Sequence, residues 1–375
     1  MQGALTIARV FGISIGVHYS WFIVFGLLVW SLSSGYFPME YPHWSASQSW
    51  LVGAVSTILL FASVLVHELA HSLLARAKGM PVKSITLFIF GGVSNLREEP
   101  STAPDEFQIA IVGPASSVAL AVFFALVWLI TQPVFPVVSA IANYLAYINA
   151  ALAAFNLVPG FPLDGGRVLR SIVWWLKRDY VVATEVASRV GRAIAYLLIF
   201  GGLLMAFSGN WVNGLWLLFI GWFLSNAAEA TQRQVMLQDI LRAVPIDRLM
   251  TREFDVVEPT LTLEGLVHDH VLRHHWRAFP VESYGRLDGL ITLTDLKRVP
   301  RDEWPLTIVR DAMTKAEDLK TVSLRDDGLV AFKLLTESNV NQLPVLDGGR
   351  VIGLVNREGI LAFIEMRSQL GHAVR

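Results

Sequence analysis

Along the first 230 residues apolar positions fall in long unbroken blocks rather than at amphipathic spacing. The blocks lie near 17–34, 50–75, 107–131, 137–157, 187–208 and 211–228. About 20 consecutive, mostly apolar residues let a helix cross the hydrocarbon of a bilayer, so the pattern predicts six spans. Two stretches break it. Residues 162–186, with VLRSIVWWLKR at their centre, are amphipathic and predict a short helix lying at the membrane interface. Residues 82–96, VKSITLFIFGGVSNL, are rich in β-branched and aromatic side chains and carry a Gly-Gly turn signal, which predicts a small hairpin or sheet at the membrane edge. Beyond residue 230 charged residues appear every few positions, as in a domain surrounded by water.

That second part contains two similar halves. VPIDRLMTREFDVVEPTLTLEGLV…FPVESYGRLDGLITLTDLKRV is followed by TIVRDAMTKAEDLKTVSLRDDGLV…LPVLDGGRVIGLVNREGILAFI. Each half reads as a Met-Thr turn, a short strand, a helix, a strand ending in Pro-Val, a Gly-containing strand and a closing helix, and such repetition marks a duplicated unit. The pair resembles tandem cystathionine-β-synthase-type (CBS) modules, which implies an α/β fold. The expected organisation is a transmembrane domain over 1–230, a linker over 231–243, modules over 244–304 and 305–367, and a tail over 368–375.

Composition supports a polytopic α-helical membrane protein. Of 375 residues, 54% are hydrophobic and 16% charged, against about 25% charged in ordinary soluble domains. A formal net charge of −1 lacks the basic surplus of a nucleic-acid binder, so no direct nucleic-acid partner is expected. With no cysteine, disulfides, thiolate metal sites and cysteine nucleophiles are excluded. The opening apolar run, interrupted by Arg9, His18 and glycines, does not read as a cleaved signal peptide. Connections near 35–49, 132–136 and 209–210 hold no lysine or arginine, whereas the alternate ones hold Arg76, Lys78, Lys83 and Arg97, then Arg167, Arg170, Lys177 and Arg178. Basic loops stay in the cytoplasm. Both termini and the paired modules are therefore expected to be cytoplasmic, with the plasma membrane of a prokaryote as the expected location.

The second span contains VLVHELAHSLL. Residues four apart share a helix face, so His67 and His71 can aim at one metal ion, with Glu68 beside them as a general base. Imidazole and carboxylate donors with no redox requirement suit Zn2+. Two histidines and a carboxylate inside an apolar span are expensive to bury, and ionisable groups there are functional by default. A catalytic zinc takes three protein ligands, and Asp164 is the candidate for the third. It lies in NLVPGFPLDGGRV at the cytoplasmic end of the fourth span, at the depth expected for His67 and His71. Pro159 and Pro162 interrupt the helix there, and Gly165 and Gly166 permit a tight turn.

The two elements together resemble the site-2 protease family of intramembrane metalloproteases. The family's His-Glu-x-x-His appears as His67-Glu68-Leu69-Ala70-His71, and its Asn…Pro…Leu-Asp-Gly stretch as Asn156…Pro159…Leu163-Asp164-Gly165. Gly91-Gly92 and Gly113-Pro114 are similar to further family features, and the CBS pair points to the subgroup carrying such modules. The resemblance implies hydrolysis of peptide bonds within or near transmembrane segments of membrane proteins. One Zn2+ per chain would be held by His67, His71 and Asp164, with Glu68 as the catalytic base. It also implies that Asn156 contacts substrate or the developing oxyanion, and that a membrane-anchored transcriptional regulator is a candidate substrate. In the first CBS module Gly289-Leu-Ile-Thr292-Leu-Thr-Asp295 resembles the family's ribose- and phosphate-contacting pattern. ATP or AMP is thus a candidate ligand at Thr292 and Asp295, and the paired modules are candidate contacts of a homodimer. The second module has Gly353-Leu-Val-Asn356-Arg-Glu-Gly359 and departs at both polar positions. A CBS-regulated transporter or channel would share the spans and the modules, but it leaves a glutamate between two helix-facing histidines and a distal aspartate unexplained. An inert relative would be expected to lack some of these four residues.

Overall fold

The computed structural model describes residues 4–89, 91–96, 100–274 and 276–369. Arg97 of the basic loop and residues 370–375 of the expected tail lie outside them. The chain divides into two compact units, Met1–Arg233 and Gln234–Arg375.

Six helices of the described residues are long and apolar enough to cross a membrane: α1 (Tyr19–Glu40), α2 (Ala46–Ala77), α3 (Ala103–Thr131), α4 (Pro136–Asn156), α6 (Tyr180–Phe207) and α7 (Trp211–Arg242). The shorter α5 (Asp164–Lys177) sits between α4 and α6 in the chain, where the amphipathic pattern predicts an interfacial helix. At 1.5 Å per residue the 32 residues of α2 extend about 48 Å, well beyond the roughly 30 Å of hydrocarbon. Its N-terminus is set by a capping box: Gln48 N–H donates to Ser45 Oγ and Ser45 N–H to Gln48 Oε1. Thr102 caps α3 with its side chain, accepting from Asp105 N–H, and Asp105 and Glu106 lie in the first turn at the positive end of the helix dipole. The expected linker 231–243 is almost wholly helical, as the end of α7.

Packing in the first unit is the reverse of a soluble core. Apart from Val52 and Phe61, the buried positions of α2 are small or polar, among them Ser49, Gly53, Ser56, Thr57, Ser63, His67, His71 and Ser72, while Phe22, Leu27, Trp30, Leu126 and Phe200 are more than half exposed. Lipid accepts large apolar side chains, so helices associate through small residues and interhelical polar contacts. Asn149 of α4 makes one such contact, its Nδ2 donating to Ser63 Oγ at 3.3 Å.

The sheet is larger than the sequence predicts. The 82–96 segment forms an antiparallel pair, β3 (Val82–Phe88) and β4 (Gly91–Leu96). An N-terminal hairpin of β1 (Ala4–Val10) and β2 (Ile13–His18) extends it to four strands in the order β1-β2-β3-β4. β2 runs parallel to β3, with Ile15 opposite Ile85 and Val17 opposite Leu87. The hairpin turns on Phe11 and Gly12, both at positive φ, as the tight two-residue turns that match strand twist require. Buried Ile13, Ile15 and Val17 alternate along β2, a period-two signal that merges in the sequence with the apolar run of α1. His18 then caps α1 through Nδ1, which accepts from Ser20 N–H at 3.3 Å.

The second unit holds two three-stranded sheets: β5 (Ala278–Ser283), β6 (Arg286–Thr292) and β7 (Thr314–Lys315), then β8 (Val322–Ser323), β9 (Gln342–Asp347) and β10 (Arg350–Asn356). The repeats exchange their opening segments. Thr251 bridges Leu354 of the second repeat, and Thr314 of the second repeat pairs with Leu290 of the first. The buried cluster around Leu343, Val345 and Val355 accordingly contains Ile246 and Leu249, so neither repeat closes its core alone.

Candidate metal centre

The centre is assembled from α2, α3, α5 and β4. One turn of α2 separates His67 from His71 and sets their imidazoles on one face, edge to face at 77°, with Nε2 atoms 3.2 Å apart. Asp164 arrives from the other side as the first residue of α5. Its Oδ2 lies 3.0 Å from His67 Nε2 and 3.2 Å from His71 Nε2. The chain turns back sharply before it, so closely that a methyl on Gly165 would lie 2.4 Å from the Leu157 carbonyl oxygen. Among the described residues these three side chains form the one cluster of donors able to share a metal ion.

Each histidine is held through its second nitrogen. His71 Nδ1 lies 2.6 Å from the Ile109 carbonyl oxygen. A carbonyl can only accept, so the proton is on Nδ1 and the Nε2 lone pair is left for a metal. His67 Nδ1 is 2.9 Å from Ser117 Oγ. Between these two anchors on α3 lies Gly113, where an added methyl would stand 2.1 Å from His71 Nε2 and 2.8 Å from His67 Nε2. The missing side chain is the space the ligand atoms occupy.

Glu68 points to the sheet rather than into the cluster. Its Oε2 accepts from Ser94 Oγ at 3.1 Å, and Ser94 Oγ is 3.0 Å from Ser72 Oγ. Gly92 passes so close that a methyl there would meet Glu68 Cγ at 2.3 Å. Strand β4 therefore holds the carboxylate beside the three donors and outside their cluster.

The donor set fits zinc. Tetrahedral Zn2+ with N and O ligands at 2.0–2.1 Å needs donors about 3.3 Å apart, close to the 3.0–3.2 Å separations here. Three protein donors leave the fourth position for a reactant, as in catalytic sites.

The structure thus brings His67, Glu68, His71 and Asp164 together. Asn156 closes α4, half-buried, ahead of the loop that returns Asp164, and no hydrogen bond among the described residues links it to the cluster. In the second unit Thr292 and Asp295 form a capping box: Asp295 Oδ2 accepts from Thr292 N–H at 3.0 Å and from its hydroxyl at 2.7 Å. Sequence reasoning did not find Ser94, Ser117 or the Ile109 carbonyl. Single serines in apolar spans are common, and a backbone carbonyl leaves no mark in a sequence.

A family profile described as peptidase family M50 matches residues 55–142 and 134–198, and the CBS domain profile matches 246–302 and 309–365. The chain is 35% identical over 369 residues to a Synechocystis sp. protein assigned as a zinc metalloprotease, covering 97% of this chain and 96% of that one. It is 29% identical over 378 residues to a zinc metalloprotease of Methanocaldococcus jannaschii, covering 99% of each. A solved site-2 protease from Methanocaldococcus jannaschii is similar at 27% identity and a TM-score of 0.43, covering 61% of this chain and 95% of that one.

Proposed function

This chain belongs to peptidase family M50, and we propose that His67, His71 and Asp164 are its zinc ligands and Glu68 its general base. The enzyme is a multi-pass membrane zinc metalloprotease that hydrolyses peptide bonds within or near transmembrane segments of its substrates. The observation carrying the residue assignment is the convergence of three donor atoms, from α2 and from the start of α5, within about one ligand–ligand separation of each other.

Zinc, when bound, is a Lewis acid for water and for the scissile carbonyl. Everything else falls to the chain. The Ile109 carbonyl and Ser117 hold the imidazoles in one orientation, so the donors need no rearrangement as charge develops. Glu68 takes a proton from the attacking water and returns it to the departing amine, which requires a carboxylate close to the reacting atoms but outside the ligand set. The Ser94 hydroxyl holds one carboxylate oxygen and leaves the other for that proton. Asn156, at the end of α4, is proposed to meet the substrate backbone as it approaches Asp164.

Bound zinc tests the assignment. Asp164→Ala should weaken zinc binding by more than the roughly 10–100-fold typical of losing an outer partner, measured by competition with a chromophoric chelator on purified protein. Wild-type zinc affinity in Asp164→Ala would remove it from the ligand set.

The finer features follow from sequence. The distribution of lysine and arginine supports cytoplasmic termini, the compact architecture supports a prokaryotic plasma membrane, and the family resemblance supports a membrane-anchored transcriptional regulator as substrate and a homodimer joined through the CBS modules. The first module is proposed to take ATP or AMP at Thr292 and Asp295. Because Asp295 also caps its own helix, the ligand would have to share that carboxylate. Equilibrium dialysis of the full chain with labelled ATP and with labelled AMP should show one nucleotide per chain in wild type and none in Asp295→Asn. Equal binding by both proteins would exclude this site.

A further inference from the structure

Among the described residues, a buried charged cluster lies outside the proposed chemistry. Glu106 of α3 is fully buried. Arg170 of α5, 4% exposed, donates to its Oε1 through Nε at 2.7 Å and through Nη2 as well. Arg167 Nε approaches the same oxygen at 3.9 Å. The Arg170 guanidinium also lies over two rings, 4.9 Å from the centroid of Phe161 and 4.6 Å from that of Tyr180. Phe161 belongs to the loop entering α5, and Tyr180 opens the helix after it. One side chain thus ties the entry, body and exit of the Asp164 segment to α3.

The other end of this tie is just as specific. The buried positions of α3 are Glu106, Ile109, Ala110, Gly113, Pro114 and Ser117, spaced three and four apart and therefore on one face. That face holds His71 through Ile109, makes room for both Nε2 atoms at Gly113 and holds His67 through Ser117. Glu106 lies one turn before Ile109 on the same stripe. α3 is a template on which the two histidines and the aspartate-bearing helix are set against one another.

We propose that the Glu106–Arg170 pair is a positioning device for the third zinc ligand, setting Asp164 against His67 and His71. The inference rests on Asp164 being a ligand. A buried pair is poor evidence of stabilisation, because desolvation offsets its attraction, and a purely structural contact at this point could be apolar. A planar guanidinium that donates twice to one carboxylate oxygen and lies over two rings fixes direction as well as distance, which is what a ligand arriving from a separate helix requires.

A double-mutant cycle on zinc affinity separates positioning from general support. Glu106→Gln should weaken zinc binding about 10–100-fold, the usual effect of losing an outer partner, and should alter the visible absorption of the Co2+-substituted protein. In the Asp164→Ala background the same substitution should change zinc affinity less than about 2-fold, since no third ligand remains to be placed. Equal weakening in both backgrounds overturns the proposal while leaving Asp164 a ligand; an Asp164→Ala protein with wild-type zinc affinity removes the premise itself. If Glu106→Gln does not fold, Arg170→Lys, which keeps the charge but not the fork, goes through the same cycle. Failure of both to fold overturns the proposal in favour of a structural pair.

Discussion

Glu68→Gln should abolish proteolysis while zinc stays bound. General acid–base catalysis contributes about 10²–10⁴-fold in typical enzymes. Here one carboxylate both accepts the proton of the attacking water and returns it to the leaving amine, so a loss near the upper end, about 10⁴-fold, is expected. The replacement keeps its other contacts. The glutamine side chain has nearly the same shape, and its carbonyl oxygen can accept from Ser94 Oγ as Glu68 Oε2 does at 3.1 Å. The three donor atoms of His67, His71 and Asp164 do not include Glu68. Cleavage of a membrane-embedded substrate in proteoliposomes, measured beside zinc content, checks both halves. Cleavage indifferent to Glu68 would exclude it as the general base. Lost zinc would instead make Glu68 part of the metal site.

Gly113→Ala should empty the site without unfolding the protein. The added methyl would sit 2.1 Å from His71 Nε2, 2.5 Å from its Cε1 and 2.8 Å from His67 Nε2. Both imidazoles are anchored at the far side of the ring, by the Ile109 carbonyl and by Ser117, so neither can retreat and still present its donor. Alanine is favoured over glycine inside a helix by about 1 kcal/mol, which works against any simple loss of α3. The expected result is wild-type helix content by circular dichroism, zinc affinity reduced by at least about 100-fold, and no cleavage. Zinc bound at wild-type affinity in Gly113→Ala would show that the donors do not converge where this geometry puts them.

The sites were unequally legible from sequence. His67 and His71 lie one helical turn apart, so their convergence follows from helix geometry alone, with Glu68 as their neighbour in the chain. Asp164 lies 93 residues beyond His71 and could be placed only by counting spans and comparing depth. Asn156 lies in the same stretch as Asp164, yet it sits at the end of α4, and no hydrogen bond among the described residues joins it to the cluster. The N-terminal hairpin was missed because its alternation runs directly into the apolar block of α1. In the second unit the repeats were plain, but their exchange was not: Met250-Thr251 and Met313-Thr314 read as the start of each repeat, yet each packs on the Gly-containing strand of the other.

The division has a physical basis. Hydropathy, helical period and repeat similarity are properties of neighbours along the chain, and bilayer thickness converts the first into a count of spans. By itself the sequence therefore determined six membrane helices, a metal-binding face on the second, a candidate third ligand and a duplicated module. The tertiary structure decided which groups support that face. Ser94 behind Glu68, the Ile109 carbonyl behind His71, Ser117 behind His67 and Glu106 behind the Asp164 helix come from segments brought together only by packing. A serine hydroxyl or a main-chain carbonyl acquires a role there only from its distance to a partner, and that distance is set by how small residues let the helices approach.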